Sequence, residues 1–550
     1  MNAPNQRINE LRTHMSFDTI IQGGIVITGD GSASFRADVG ISAGRITDIA
    51  DLSDAVPNTA EVIDAAGMIV CPGFIDIHTH SDVTLVDHPG AQSKAYQGVT
   101  TEVTGNCGFS PYPSPDGNSG SVREGIGPTL SSTEDWSWTD VSGYSEVVNQ
   151  NGVSINVAPL VGHSALRIAA GAQNDAPPTP DQLAHMQRSL EIGIEQGAFG
   201  MSTGLTLPPS SYATTDELVS LASVMSRFEH AFYATHARVW AGWHVKAVEE
   251  AVQIGRSASV PVQFSHIAIV DSRVHGHGEQ LVAVIDNARG SGDDVTTDMY
   301  PYTAASSGMS QMLPGWVQEG GVSAMLARLR DPATRKKAHE STSKGWFGGL
   351  PFVFSTMVIA TVASEENAGL VGKSLEEIAA DRGVDGVEAM LMLIDEEDNE
   401  ISKIMHNRVE GDIRFFMEYE HAMIGSDGNA IERTGIWESS MPHPRFYGTF
   451  PRVLGKYVRD EPLISLETAV HKMTGMPARR LGLSDRGVLR EGAVADVVVF
   501  DPATVIDLAT FEDPHRYPVG IPHVLVNGEP VIKNGKHTGA RPGTVLKRGV

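Results

Sequence analysis

Eight short apolar segments recur through the middle of this chain, each leading into a polar or glycine-rich loop, and amphipathic helical patterns alternate with them. They are GFIDIHTH (73–80), VTTEVTGN (99–106), VSINVAPLVGH (153–163), FGMSTGLT (199–206), FYATHAR (232–238), VPVQFSHIAI (260–269), DVTTDMYPY (294–302) and HAMIGSDG (421–428). Strands that are buried on both faces read as apolar runs, and alternation with helices is typical of parallel sheets. Eight such units predict an α/β fold, a TIM-like (β/α)8 barrel whose chemistry lies on the loops that follow the strands.

The helical segment before FYATHAR illustrates the alternation. Thr214 and Glu217 have the spacing of a capping box, in which each side chain satisfies a backbone N–H at the start of a helix. Leu218, Leu221 and Met225 then recur on one helical face. This pattern predicts a helix that begins after Thr214 and packs against the barrel.

Both ends of the chain carry short alternating strand patterns and Asn-Gly turns, at Asn527-Gly528 and Asn534-Gly535. Chain termini often lie close together in space, so we predict one small β-sandwich domain built from both ends. Its parts would be residues 1–72 and 483–550, with the barrel at 73–482. Two separate β appendages are the alternative.

The regular spacing of the β/α units is broken once. More than a hundred residues separate Tyr302 from His421, where a unit needs about 30. We predict an insertion before the last barrel strand, at about 315–410, that forms a lid or pocket wall. The Gly/Ser/Pro-rich run from Ser110 to Ser132 predicts a second long loop at the rim.

Composition excludes several classes of partner. The net charge of −26 opposes binding to nucleic acid or to an anionic membrane surface. Two cysteines, Cys71 and Cys107, form no disulfide framework and suit a reducing compartment. The polar opening lacks the apolar core of a signal peptide, and no apolar run is long enough to span a membrane. We therefore expect a cytoplasmic protein without nucleic-acid or membrane partners, and the sequence leaves assembly into a homo-oligomer open.

Polar side chains that can bind a metal follow the predicted strands at one edge. They are His78 and His80 after the first strand, Cys107 after the second, His236 and His266 on the fifth and sixth, and Asp427 after the eighth. A single buried cysteine or histidine has an ordinary structural explanation. Six such residues at the same edge predict a catalytic metal site.

The residue types indicate zinc chemistry. Zinc prefers neutral imidazole and thiolate ligands, and three protein ligands leave a position for water, whose pKa falls to about 7. Cys107, His236 and His266 would form a Cys/His/His site for Zn²⁺. His78 and His80, with Asp427, surround an adjoining position for a second metal. Asp427 can accept a proton from the water and pass it to a leaving nitrogen.

These motifs resemble the amidohydrolase superfamily, in which HTH follows the first strand and an aspartate follows the eighth. The segments GNCGFSPYP, YPYTAAS, IGSDG and HPRFYGTFPRVLGKYVR, with the tail ADVVVFDP…PHRYPVGIPHVLVNG…HTGARPG, are similar to N-acyl-D-amino-acid deacylases. The similarity covers nearly the whole chain, and the cysteine of GNCGFS is specific to that branch. It implies the barrel and the split β domain described above.

The resemblance implies roles for individual residues. Cys107, His236 and His266 match the tight zinc ligands, Cys107 with His78 and His80 matches a weaker second site, and Asp427 matches the catalytic acid/base. The cysteine thiolate takes the bridging role that a carboxylated lysine has in hydantoinases. Consistent with this, the fourth strand end, FGMSTGLTLPP, contains no lysine.

The resemblance also implies how the substrate is held. Arg445 of the HPR segment and Tyr300 match residues that bind the α-carboxylate, and Ser306 matches a contact to the acyl or side-chain portion. Two further carboxylate-binding positions, a lysine and a tyrosine in the family, hold Ala268 and Leu207 here. We predict an altered pocket that takes an amide without a free α-carboxylate, or one whose carboxylate is bound by Arg445 alone.

Four other residues are predicted to lie outside the chemistry. His163, at the third strand end, is expected to have a supporting or structural role. His275 and His277 are expected in a solvated loop. Cys71, just before Pro72, is expected to be an ordinary packed residue.

The predicted function is zinc-dependent hydrolysis of a linear amide in a small molecule, as in N-acyl-D-amino-acid deacylases. One alternative is a cyclic amidase or a deaminase on the same barrel, and the missing lysine at the fourth strand end disfavours the lysine-bridged cyclic amidases. The other alternative is a non-catalytic scaffold of the same family. Such a scaffold would not need the complete ligand set that this chain retains.

Overall fold

A computed structural model of the protein describes residues 17–55, 60–114, 120–123 and 136–549. The polar opening, residues 1–16, and most of the predicted rim loop from Ser110 to Ser132 lie outside these residues. Among the described residues, no helix combines the length and the apolar character needed to cross a bilayer.

Strands occur at both ends of the chain and through its middle. In chain order they are β1 Thr19–Val26, β2 Phe35–Ser42, β3 Arg45–Ala50, β4 Glu61–Asp64, β5 Ile69–Pro72, β6 Phe74–Asp76, β7 Val99–Thr104, β8 Asn156–Pro159, β9 Val161–Gly162, β10 Gly200–Gly204, β11 Phe232–His236, β12 Val262–Phe264, β13 Val295–Met299, β14 Ala305–Gly308, β15 Met357–Thr361, β16 Ser402–Met405, β17 Ala422–Ile424, β18 Val497–Phe500, β19 His523–Val526, β20 Glu529–Lys533 and β21 Lys536–His537.

Helices connect the middle strands, fill the long interval before β17 and follow β17 towards the end sheet. They are α1 Thr84–Asp87, α2 Gln92–Ala95, α3 Val141–Asn151, α4 His163–Ala169, α5 Pro180–Glu195, α6 Thr215–Met225, α7 His244–Ala258, α8 Gly278–Gly290, α9 Gly315–Gln318, α10 Gly321–Arg330, α11 Pro332–Thr342, α12 Leu375–Arg382, α13 Gly386–Glu396, α14 Glu410–Glu418, α15 Arg445–Arg452, continued by a π-helical stretch Val453–Asp460, α16 Leu466–Met473 and α17 Gly475–Leu481.

Strands from the two ends of the chain share one nine-stranded sheet. Its order is β21-β20-β19-β18-β5-β1-β2-β3, with β4 paired to β1. The two ends meet where β18 runs antiparallel to β5, with Val498 opposite Cys71. Alternate apolar residues of this sheet, among them Val70, Val497 and Val499, are fully buried in one cluster. The arrangement as a two-layer sandwich, and the domain boundaries, stay predictions.

Each of the eight apolar segments of the middle region contains a parallel strand. The segment 153–163 contains two strands, β8 and β9, so there are nine strands in all. Six of them form the sheet β17-β13-β12-β11-β10-β9, and β6, β7 and β8 form a second sheet. Leu160 alone separates β8 from β9. The other edge strands of the two sheets are β6 and β17, and hydrogen bonds join the residues that follow them. The backbone N–H of Asp427 donates to His78 O (2.8 Å), and that of His80 donates to Gly428 O (3.1 Å). The ends of the first and last strands therefore lie side by side.

The capping box predicted at α6 is half formed. Thr214 accepts a hydrogen bond from the N–H of Glu217 at 3.2 Å, but the Glu217 side chain turns to Arg167 and His163, with contacts of 3.1 and 3.0 Å. Burying an arginine without a counter-charge costs several kcal/mol of folding free energy. The Glu217 carboxylate therefore pairs with Arg167 and does not cap the start of the helix. Leu218 of the predicted apolar face is fully buried.

The long interval before β17 builds its own small unit. Strands β14, β16 and β15 form an antiparallel sheet, and the helices α9 to α13 pack around a separate apolar cluster. Members of that cluster include Met309, Leu326, Ile359, Met390 and Leu393. Because β14 begins only a few residues after β13, this unit lies directly beside the C-terminal ends of the parallel strands.

A buried ion pair joins the first strand to the loop that carries Asp427. Lys94 is completely buried, and its Nζ lies 2.8 Å from Asp76 Oδ2 and 2.5 Å from Ser426 Oγ. The other oxygen of Asp76 accepts the backbone N–H of Ser426 at 2.8 Å. These contacts fix the loop after β17 relative to β6.

We expect Lys94→Met to lower the free energy of unfolding by about 3–5 kcal/mol, because it leaves the buried Asp76 carboxylate without its cation. Urea unfolding followed by circular dichroism measures this. Lys336→Met, on the exposed face of α11, is the control and should change the free energy by less than about 0.5 kcal/mol. Equal effects of the two substitutions would contradict a stabilising role for the buried pair.

Candidate metal centre

The predicted ligands lie where their strands end. His236 is the last residue of β11, His266 follows β12 by two residues, and Cys107 lies in a 3-10 turn, Asn106–Gly108, just after β7. The hydrogen bonds of His78 and His80 to the loop after β17 alternate with that of Thr79 N–H to Val103 O (3.1 Å). This alternation is that of extended backbone, so the two histidine side chains project to the same side.

Three residues of the centre have left-handed backbone conformations. The φ angles are 53° at Cys107, 36° at His266 and 51° at Asp427. Each such conformation in a non-glycine residue costs about 1–3 kcal/mol, and these outliers concentrate at functional sites. The surrounding hydrogen bonds hold the three side chains in place despite this cost.

The candidate ligand atoms converge on Cys107. Its Sγ lies 3.3 Å from His78 Nε2 and 3.5 Å from His266 Nε2. Two groups have all their donor atoms within 4.8 Å of one another: Cys107, His236 and His266, and His78, His80, Cys107 and Asp427. A tetrahedral zinc ion with bonds of about 2.0–2.3 Å holds its ligand atoms roughly 3.5 Å apart. The donor set and its spacing therefore fit a metal in each group, with Cys107 common to both.

The electrostatics of the centre favour a thiolate. Burial raises the pKa of the Cys107 thiol, but His78 and His266 outweigh it and hold the pKa well below its usual value. Cys107 is only 3% exposed. A thiolate that lies against imidazoles is the form in which cysteine binds metal.

Asp427 is held as a carboxylate between a histidine and an arginine. One oxygen lies 3.0 Å from His80 Nε2, and the other lies 2.8 Å from Arg445 Nη1. Burial raises the pKa of Asp427, but Arg445 and His80 lower it well below its usual value. Asp427 is 8% exposed and lines the cavity. As a carboxylate it can accept a proton there.

Asp298 supports the centre, although the motifs did not single it out. Its Oδ1 lies 3.2 Å from His78 Nδ1 and accepts the backbone N–H of His266 at 2.8 Å, while Oδ2 accepts from Gln263 Nε2 at 2.8 Å. A carboxylate on the far nitrogen of a metal-binding histidine fixes its tautomer and orientation. The signal in the sequence was an aspartate inside the buried strand segment DVTTDMYPY.

We expect Asp298→Asn to weaken metal binding by about 10- to 100-fold, because His78 loses the carboxylate that orients it. Competition with a chromophoric chelator measures the affinity without reference to activity. Asp294→Asn on the same segment is the control, since Asp294 pairs with Arg480 away from the centre. Unchanged affinity in Asp298→Asn would show that His78 is oriented by other contacts.

Arg445 is positioned by its neighbour His443. The Arg445 N–H donates to His443 Nδ1 (3.0 Å), and His443 Nε2 donates to Ala304 O (3.0 Å). Burial and the charge of Arg445 hold the pKa of His443 well below its usual value, so this histidine is neutral. The guanidinium carbon of Arg445 lies 4.7 Å from the ring centre of Tyr300.

One cavity opens onto five of the six candidate metal-site residues and onto all five residues predicted to bind the substrate. Those five are Leu207, Ala268, Tyr300, Ser306 and Arg445, and the cavity is also lined by His80, Cys107, His236, His266 and Asp427. Ser306 lies on β14, so the inserted unit forms part of the wall. The contacts of these residues with a substrate stay predictions.

The remaining histidines singled out in the sequence lie elsewhere. His163 is fully buried and contacts Ser210 Oγ (2.7 Å) and Glu217 (3.0 Å). His277 is exposed on its loop beside Glu279. Cys71 is buried in the end sheet without a disulfide.

Comparison with known proteins identifies a family and similar structures for this chain. The model of the Amidohydrolase family matches residues 61–273 and 365–532. A D-aminoacylase of Alcaligenes xylosoxydans xylosoxydans is 36% identical over 97% of this chain and 98% of its own length. The N-acyl-D-glutamate deacylase of Bordetella bronchiseptica, solved with zinc and a phosphonate that mimics the tetrahedral intermediate, has a TM-score of 0.81 at 34% identity. A D-aminoacylase structure studied for its binuclear metal center has a TM-score of 0.80 at 36% identity. Each structural alignment covers 97% of this chain and 100% of the other.

The fold and the ligand set define a metal-dependent hydrolase of amide bonds. The chain belongs to the amidohydrolase family, and the resemblance to D-aminoacylases inferred from its motifs is confirmed. The segment 274–364 outside the family match contains α9 to α11 of the inserted unit.

Proposed function

We propose that this protein is a zinc-dependent N-acyl-D-amino-acid deacylase of the cytoplasm, built on a closed (β/α)8 barrel. The observation that carries the proposal is the convergence of Cys107, His236 and His266 beside Asp427 in one cavity. The hydrogen bonds between the ends of β6 and β17 support closure of the barrel. The substrate is a small molecule with a linear amide.

The metal would be held tightly by Cys107, His236 and His266, and more weakly at a second site by Cys107, His78 and His80. When bound, zinc supplies a Lewis acid for the amide carbonyl and lowers the pKa of water. Asp427 accepts the proton of the attacking water and delivers it to the departing nitrogen. The products are a carboxylic acid and the free D-amino acid, whose amino group is the departing nitrogen.

The walls of the cavity orient the substrate. Tyr300 and Arg445 lie beside Asp427 and offer donors for a carboxylate. Leu207 and Ala268 present apolar surface, with Phe109, Val239 and Phe264 also lining the cavity. An apolar acyl group or side chain fits this part of the wall, since a charged group there would be left without a partner.

Ring opening and deamination are the alternatives within the family. Strand β10 ends at Gly204 and is followed by Leu-Thr-Leu, so no lysine is present to bridge two metals as in hydantoinases. Cys107, which follows β7, is the residue that the two ligand groups share instead. This placement favours a linear amide.

A substrate panel on the zinc-loaded protein tests the proposal. N-acyl-D-amino acids with apolar side chains should be hydrolysed at least tenfold faster than their L forms, hydantoins or adenine, as judged by kcat/KM. The chelated protein, reloaded with zinc, is the control and should lose and regain the activity. Faster ring opening or deamination would overturn the assignment, and no turnover of any substrate would favour a scaffold.

A further inference from the structure

A second arginine lies in the cavity beside Arg445. Arg408 is in the connection between β16 and α14, where its backbone N–H donates to Thr303 O at 3.1 Å. Its guanidinium carbon lies 4.2 Å from the ring centre of Tyr300, against 4.7 Å for Arg445. The inserted unit thus places a cation against the aromatic ring that Arg445 also contacts.

This corner of the cavity holds polar atoms without partners. Within the described part of the chain, no hydrogen-bond partner satisfies the buried atoms Tyr300 Oη, Asn407 Nδ2 and Oδ1, Arg408 Nε and Arg445 Nε. All four residues line the cavity. Native proteins leave few buried donors unpaired because each one costs about 1–3 kcal/mol. Donors from four residues that converge on one space indicate a ligand rich in acceptor oxygens.

The charges of the residues that line the cavity indicate that this ligand carries a negative charge. Two arginines face the cavity, and Asp427 is the one carboxylate among its described lining residues. Asp427 is paired with Arg445, whereas no carboxylate of the described chain lies within 4.0 Å of Arg408. The corner has one cation in excess, which a single carboxylate of the ligand would balance.

We propose that Arg408 binds the α-carboxylate of the substrate and takes the place of the donors that are absent at Ala268 and Leu207. This inference rests on the proposed function and makes the protein an enzyme for N-acyl amino acids with one free carboxylate. It replaces the expectation that Arg445 acts alone or that the substrate lacks a carboxylate. Arg408 is then a residue that determines specificity and takes no part in proton transfer.

The test compares one N-acyl-D-amino acid with its primary carboxamide in the zinc-loaded wild type and in Arg408→Met. We expect kcat/KM for the free acid to fall by about 10- to 100-fold, through a higher KM, because a charge-assisted hydrogen bond is lost. The carboxamide, which carries no charge, should be hydrolysed at the wild-type rate. Arg408→Lys, which keeps the charge, should recover part of the loss.

Arg382→Met is the matched control, because Arg382 lies in the same inserted unit but pairs with Glu396 outside the cavity; it should change neither substrate. Parallel losses for the acid and the carboxamide in Arg408→Met, or no loss for either, would overturn the inference. Thermal midpoint and metal content show whether each variant is folded and loaded. Failure of wild-type enzyme to hydrolyse either compound would instead remove the proposed function itself.

Discussion

Asp427→Asn is expected to lower kcat for N-acyl-D-amino acids by about 10²–10⁴-fold, the usual contribution of general acid–base catalysis. The amide keeps the size of the side chain but cannot accept the proton from water. Cys107, His236 and His266 are untouched, so metal at the predicted tight site should remain. Steady-state kinetics on protein of measured zinc content separates the loss of proton transfer from a loss of metal.

Asp507→Asn is the matched control for that experiment. Asp507 is also paired with an arginine, at 3.0 Å from Arg452 Nη1, and its side chain is 5% exposed, but it lies outside the cavity. Its replacement should leave kcat per folded molecule unchanged even if stability falls. Wild-type turnover in Asp427→Asn with full zinc would mean that another group moves the proton.

The strand positions could be predicted because a strand that is buried on both faces appears in the sequence as a short run of apolar residues. Each of the eight apolar segments contains a parallel strand, and the candidate ligands follow those strands as the pattern predicts. His78 and His80 project together because an extended chain repeats every two residues. Local periodicity therefore predicted that the candidate ligands lie together at one edge of the strands, before any contact was known.

Contacts between distant residues could not be predicted in the same way. The Thr214 and Glu217 spacing predicts a capping box, yet Glu217 is drawn to Arg167 and His163, which lie some 50 residues away. Asp298 and Arg408 have no local pattern that marks them, because their importance depends on what lies across the cavity. Arg408 in particular belongs to the inserted unit, which does not follow the alternation of parallel strands and helices seen in the middle of the chain.

The left-handed backbone at Cys107 is a further feature that no local preference predicts. Glycine is the usual residue at φ near 53°, and a cysteine is retained there despite the strain. The conformation places Sγ within 3.5 Å of two imidazole nitrogens. A thiolate shared by the two candidate ligand groups would account for a cysteine side chain at this strained position.

Cys107→Ala should therefore have the largest effect on metal binding of any single change, because Cys107 is the ligand that the two groups share. Loss of a supporting carboxylate alone weakens metal binding by about 10- to 100-fold, and loss of a direct ligand should exceed that. We expect the zinc content after dialysis to fall well below one per chain, with the loss of nearly all activity.

Cys71→Ala provides the matched control, since it removes the other buried thiol. Cys71 lies in the end sheet and is not among the candidate metal ligands. The cobalt-substituted wild type and Cys71→Ala should both show a thiolate-to-cobalt charge-transfer band in the near ultraviolet, and Cys107→Ala should lack it. This readout reports the metal–sulfur bond directly and does not depend on catalysis. If the band and the zinc content survive in Cys107→Ala, the metal binds elsewhere in the protein. Cys107 would then not be the ligand that the two groups share.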